Sequence, residues 1–136
     1  MKVLLDLNVL LDVVQNRSPY YHDSARVLSL ARIAKIDALL PVHAFTTLYY
    51  ILAKAAGKPK AGQTVDWLLA HFEVAAADKA VLRRARQIPL VDFEDAVVAS
   101  LAEAGRCDYI VTRNVPDFAN SPVPAFTPAD FLAKHS

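Results

Sequence analysis

Short apolar runs alternate with stretches of helical spacing along nearly the whole chain, and this alternation restricts the fold more than any other feature. Val3-Leu4-Leu5, Asp37 to Val42, Phe72 to Ala76 and Tyr109 to Thr112 each read as a strand, and Val123 to Phe126 leaves room for a short fifth. The segments between them are long enough to be helical crossovers. Strands joined in this way run parallel, because a parallel pair needs a long connection and a helix supplies it. The expected architecture is an α/β fold: a central parallel sheet of four to five strands covered by helices on both faces, in three layers.

Local signals set the expected helix boundaries. Asn8 is the expected cap of a first short helix through Val14, and Ser18-Pro19 the expected start of a second that runs to Lys35 with Ala25, Leu28, Ala31 and Ile33 on its apolar side. His43 to Ala56 has helical spacing and stops at Gly57, with Ala44, Leu48, Ile51, Leu52 and Ala55 facing the core and Thr47, Tyr50 and Lys54 on another side. Ala61 to His71 forms the next helix, Asp78 caps one that runs to Gln87, Asp92 opens an alanine-rich one ending near Gly105, and Pro128 starts the last.

Composition narrows the function classes. A chain of 136 residues is the size of one domain, and its 54% apolar content with a mean hydropathy of +0.25 points to some surface being covered by another copy or a partner. Fifteen Lys and Arg against 14 Asp and Glu leave a net charge of +1, so any nucleic-acid binding must come from a local patch. Cys107 stands alone, which excludes an internal disulfide and a cysteine zinc site, and it reads as a small buried thiol. No apolar run is long enough to span a membrane or to act as a signal peptide, so a cytoplasmic location is the default expectation. With Gly57, Gly62 and Gly105 the only glycines, neither a dinucleotide fingerprint nor a phosphate-binding P-loop can be built.

The chemistry rests on carboxylates. In an open parallel sheet, ligands bind beyond the carboxyl ends of the strands, where strand order reverses. Asp6 ends the first strand between Leu5 and Leu7, Asp95 lies in the first turn of the helix after Asp92, and Asp117 follows the strand ending at Thr112. Each has a structural alternative: Asp6 a strand terminator, Asp92 and Asp95 helix-start residues, Asp117 a turn residue. Glu94 points about 100° of helix away from Asp95. Gathered in a cleft, such acids repel one another unless a cation compensates. Magnesium suits them, since it takes one or a few carboxylates and leaves positions for water and phosphate oxygens. Hydrolysis of a phosphodiester by an activated water is then possible without a protein nucleophile.

Four segments, in order, carry a resemblance to a known family. They are Leu4-Leu5-Asp6-Leu7-Asn8-Val9-Leu10-Leu11-Asp12, Thr46-Thr47-Leu48-Tyr49-Tyr50-Ile51-Leu52, Asp92-Phe93-Glu94-Asp95-Ala96-Val97-Val98-Ala99, and Tyr109-Ile110-Val111-Thr112-Arg113-Asn114-Val115-Pro116-Asp117-Phe118. Together they resemble the PIN domain, and within it the VapC-type toxins of bacterial toxin–antitoxin pairs. The resemblance implies a compact α/β/α sandwich whose acids bind Mg2+ or Mn2+ for endonucleolytic cleavage of RNA. By motif, Asp6 and Asp95 match two family acids and Asp117 a third. Asn114 stands where an acid often follows Thr-Arg, and Thr112 matches a hydroxyl that orients a water or an acid. Asn8 and Asp92 flank the matched acids as supporting residues. Tyr50 occupies the place of the family's middle-helix glutamate, as in a subset of PIN-like sequences.

Arg17, Lys54 and Arg113 are the expected RNA-phosphate contacts, with Lys58 and Lys60 nearby and Tyr20 or Tyr21 available to stack on a base. Arg83, Arg84 and Arg86 read as an exposed helix face, and His22, His43, His71 and His135 lack metal-site spacing. The resemblance implies an RNA substrate, an antitoxin protein partner and a homodimer. Two functions follow: a metal-dependent ribonuclease, or a catalytically weakened module that binds RNA or protein in the same cleft.

Overall fold

The computed structural model describes residues 1–135. Five strands, β1 (Lys2–Leu5), β2 (Asp37–Pro41), β3 (Glu73–Ala75), β4 (Tyr109–Val111) and β5 (Ala125–Phe126), alternate with helices α1 (Leu7–Val14), α2 (Tyr21–Arg32), α3 (Val42–Ala56), α4 (Lys58–His71), α5 (Lys79–Gln87), α6 (Phe93–Ala104) and α7 (Pro128–His135). A single 3-10 turn, Val115–Phe118, follows β4. All strand pairs are parallel, in the order β3-β2-β1-β4-β5. The chain therefore fills one side of β1 with β2 and β3, then crosses to the other with β4 and β5. The reversal falls between β1 and β4, where Leu5 registers with Val111.

Both faces of β1 are buried, which explains its uninterrupted apolar run. Val3 and Leu5 pack with Leu10, Val27, Leu48, Leu68 and Phe131, from α1, α2, α3, α4 and α7. Leu4 faces the opposite layer with Val81, Ala85, Ala96, Ala99 and Leu101, from α5 and α6. The expected three-layer α/β/α sandwich is the observed one. Arg84 and Glu103 tie α5 to α6 through paired bonds of 2.7 and 3.1 Å.

Several expected boundaries shift. Asp6, not Asn8, caps α1: the helix starts directly at the strand end, so Asp6 is the last extended residue and its side chain accepts the Leu7 N–H. Asn8 is already inside the helix. α2 begins at Tyr21 rather than Pro19, because the chain must first turn through Asn16, at φ 48°, with the Arg17 N–H bonded back to the Asp12 carbonyl and the Tyr21 N–H to the Arg17 carbonyl. Its buried face is Ser24, Val27 and Leu28, while Ile33 lies past the helix end and is exposed. On α3, Ala44, Leu48 and Leu52 are buried as expected, but Ala55, near the helix end, is exposed. α4 begins at Lys58 with Pro59 in its first turn, where a missing N–H costs nothing. Gly57 ends α3 as expected, but at φ 92° and ψ 158° it is extended with positive φ rather than left-handed helical, because the chain leads at once into α4. No helix of the described residues is long and apolar enough to cross a membrane.

Candidate active site

At the reversal of strand order, the ends of β1 and β4 are stitched together by polar side chains. The Asp6 N–H donates to the Val111 carbonyl at 3.0 Å, continuing the sheet one residue past β1. Its carboxylate turns over the start of α1, where Oδ1 accepts the Leu7 N–H at 2.8 Å. Oδ2 accepts from the Thr112 hydroxyl at 2.9 Å and from Asn8 Nδ2 at 3.3 Å. Asn8 Oδ1 accepts the Arg113 N–H at 3.2 Å, and the Asn114 N–H donates to Thr112 Oγ1 at 3.1 Å. Thr112 is fully buried, so its one proton, committed to Asp6, fixes the direction of the whole network.

The other two acids reach the same edge from different elements. Asp92 caps α6, its Oδ1 accepting the Asp95 N–H at 3.0 Å, which sets Asp95 at the third position of the helix. Asp117 lies in the 3-10 turn, its N–H bonded to the Asn114 carbonyl at 3.0 Å. Asp92, Asp95 and Asp117 line a cleft of about 270 Å³ with Pro89, Leu90 and Pro116. Asp6 stands outside that lining.

Electrostatics nevertheless link all of them. The carboxyl of Asp95 is pushed up to about 6, first by burial and then by repulsion from Asp92, Asp6, Asp117 and Glu94. Burial also raises Asp6, against the lowering effect of hydrogen bonds from Thr112 and Leu7; Glu94 raises it further and His43 lowers it. Among the described residues, no three His, Cys, Asp or Glu side chains are gathered tightly enough to cage an ion by themselves. These facts agree once distance is considered, because charge repulsion acts well beyond coordination range.

Two residues at the site escaped the sequence reading. His43 is the second residue of α3, two past the end of β2, and its Nε2 lies 3.8 Å from Glu94 Oε1. Glu94, although turned away from Asp95 along the helix, acts on both Asp95 and Asp6. The rule that located Asp6, a polar residue directly after an expected strand, also selects His43. Nothing in the sequence pairs it with Glu94.

The remaining candidates hold partners of their own. Tyr50 is exposed, and the Lys54 ammonium lies 4.5 Å from its ring centroid. Together with His43 and Thr47 they follow one side of α3 at helical spacing, but no hydrogen bond or ion pair among the described residues joins Tyr50 or Lys54 to an acid. Arg17 donates to Gln15 Oε1 from Nε at 3.0 Å and from Nη2 at 2.6 Å. Arg113 pairs with Asp12 at 2.9 Å and lies 4.1 Å from the Tyr20 ring centroid. Cys107 is buried, as expected, and burial pushes its thiol up to about 11, so it is no nucleophile at neutral pH.

A family model for the PIN domain matches residues 2–116. Ribonuclease VapC1 of Aquifex aeolicus (strain VF5) is 26% identical over 138 residues, an alignment covering 98% of this chain and 94% of that protein. Among solved structures, VapBC2 from Rickettsia felis, bound to a DNA fragment from its promoter, superposes with a TM-score of 0.71 at 17% identity, covering 93% of this chain and 98% of that one. DNA-bound VapBC from Salmonella typhimurium gives a TM-score of 0.73 at 17% identity, covering 94% and 98%. At these identities the structural likeness establishes the fold.

Proposed function

Because this chain belongs to the PIN-domain family, whose model spans residues 2–116, we propose that it is a metal-dependent endoribonuclease and the toxin of a toxin–antitoxin pair. One observation carries the reading: Asp95 is held up to about 6 by burial and by Asp92, Asp6, Asp117 and Glu94, an acidic cluster at the strand-order reversal that a cation would relieve. The ribonuclease name of the Aquifex relative and the VapBC complexes among the structural neighbours support it.

The donor set fits a hard divalent ion, since every candidate ligand is an oxygen. Asp6, Asp95 and Asp117 would hold Mg2+ or Mn2+, with waters completing a shell that the acids alone do not enclose. Bound there, the ion supplies Lewis acidity toward a phosphate oxygen and lowers the pKa of a coordinated water. The chain's own residues set the geometry. Thr112 and Asn8 fix the Asp6 carboxylate in one orientation, while Asp95 and Asp117 present theirs to the cleft. The exposed Asn114 offers a neutral amide where a further charge would add to the repulsion.

RNA would approach along this edge. Arg17 and Lys54 contact phosphates only by exchanging their present partners, Gln15 and Tyr50, Lys58 and Lys60 are exposed, and Arg113, first among the candidates by motif, has its charge already committed to the buried Asp12. Exposed apolar side chains suit an antitoxin and a second copy of the chain: Val91 and Phe93 flank Asp92, and Tyr49, Trp67 and Leu69 lie on α3 and α4. The test is cleavage of single-stranded or looped RNA in Mg2+ or Mn2+, comparing the wild type with Asp6→Asn. Cleavage should vanish in the variant while the fold survives. Unchanged cleavage rejects the site.

Tyr50 favours a second reading, a module that binds RNA or protein without turnover, because a phenol with Lys54 above it is a poor magnesium ligand. That reading predicts RNA retention without products in the same assay.

A further inference from the structure

The proposed chemistry makes no use of Asp12, yet this residue joins the two elements that frame the site. It lies in α1, two residues before the helix ends, and is fully buried. A carboxylate so placed needs a counter-charge. Its Oδ2 lies 2.9 Å from Arg113 Nε and accepts from Ser24 Oγ at 3.1 Å. Asp12 Oδ1 has no hydrogen-bond partner, and the Arg113 Nε–H is not aligned for a bond, so the attraction between the two side chains is ionic. The guanidinium also lies over the ring of Tyr20, 4.1 Å from its centroid.

Arg113 is the residue directly after Thr112, and its backbone N–H is bonded to Asn8. The start of α1 therefore holds the end of β4 through Asp6 and Asn8, and its far end holds the same segment through Asp12. Packing does not force the second hold. A cavity of about 370 Å³, lined by Pro19, Tyr20, Asp23, Ser24, Arg113 and Thr127, leaves the guanidinium room to move and offers Asp23 as another carboxylate. Asp12 and the Tyr20 ring are the contacts that hold the guanidinium where it is, and of the two only Asp12 carries a charge.

We propose that Asp12 is a positioning residue: through Arg113 it holds the segment Thr112 to Asn114 so that the Thr112 hydroxyl is aimed at Asp6. The kinetic part of this proposal rests on the nuclease reading above; the structural part does not.

The test uses the full chain and the variants Asp12→Asn, Arg113→Lys and Arg113→Gln. The first readout is amide hydrogen exchange at Arg113 and Asn114, whose N–H groups bond to Asn8 and Thr112. Asp12→Asn should speed exchange there about 10-fold or more relative to the amides of β1, a local opening rather than a global one. The second is RNA cleavage under saturating substrate, where kcat should fall about 10-fold or more with KM nearly unchanged, the range seen when groups orienting a metal ligand are lost. Arg113→Lys, which keeps the charge, should retain more of both properties than Arg113→Gln. Exchange unchanged at 113 and 114, uniform acceleration across the sheet, or equal behaviour of the two Arg113 variants overturns the proposal. If Asp12→Asn does not fold, the Arg113 pair decides. If the wild type fails to cleave RNA, the nuclease reading fails and the exchange readout alone decides this one.

Discussion

Thr112 offers a buried hydroxyl in place of water to the Asp6 carboxylate, and its worth can be measured by removing only that group. Thr112→Val keeps the shape, leaves Asp6 with one donor fewer and should weaken Mn2+ binding about 10- to 100-fold. It should also lower stability by about 1 kcal/mol, read from denaturant unfolding. Asp95 makes a prediction about pH. Its carboxyl titrates near 6 in the folded protein against an ordinary value of 3.8. Between those values the folded state keeps a proton that the unfolded chain has lost, so stability falls as pH rises through this window and the full cost is present above it. Asp95→Asn removes a charge that burial and four acids oppose. Thermal scans should show the variant more stable than the wild type at about pH 7, with the advantage gone near pH 3 to 4. At this scale, the strand end made the place of Asp6 legible in the sequence, and the cap Asp92 made legible the place of Asp95 in the first turn of α6. The His43–Glu94 contact was not legible, because it depends on α3 and α6 starting side by side.

Helix boundaries were readable where one residue decides them and misread where the chain turns first. Asp78 caps α5 as expected, its Oδ1 accepting the Val81 N–H at 2.9 Å. Asp78→Ala should cost about 1 kcal/mol in urea or guanidinium unfolding. Gly57 sits at φ 92° and the nearest atom to an added Cβ would be Pro59 Cδ at 3.7 Å, so Gly57→Ala meets no clash and pays only for the backbone. At φ 92° and ψ 158° that backbone is open essentially to glycine alone, so a loss of about 1–3 kcal/mol is expected in the same measurement. The start of α2 was misread because Ser18-Pro19 has the chemistry of a helix start, whereas the bonds that hold residues 16–20 in a turn come from Asp12 and Arg17. α1 was misread by two residues for the opposite reason. No turn separates it from β1, so the strand's last carboxylate becomes the cap and the candidate ligand at once.

For the whole molecule, alternation of strand and helix was enough to imply a parallel sheet with two helical layers, but not the order of its strands. That order comes from long-range pairing of β1 with both β2 and β4, and local spacing carries no record of it. It nevertheless builds the candidate site, because it brings Asp6 and Thr112, far apart in sequence, within 2.9 Å. We infer that the acids gathered by this order hold a divalent cation. Calorimetric titration with Mn2+ at neutral pH tests it most directly, in the wild type and in Asp6→Asn and Asp95→Asn. Saturable binding to the wild type is expected, with proton release that grows as pH falls toward 6, and binding weakened about 100-fold or more in each variant. Absence of saturable binding to the wild type, or binding undiminished in both variants, would contradict it.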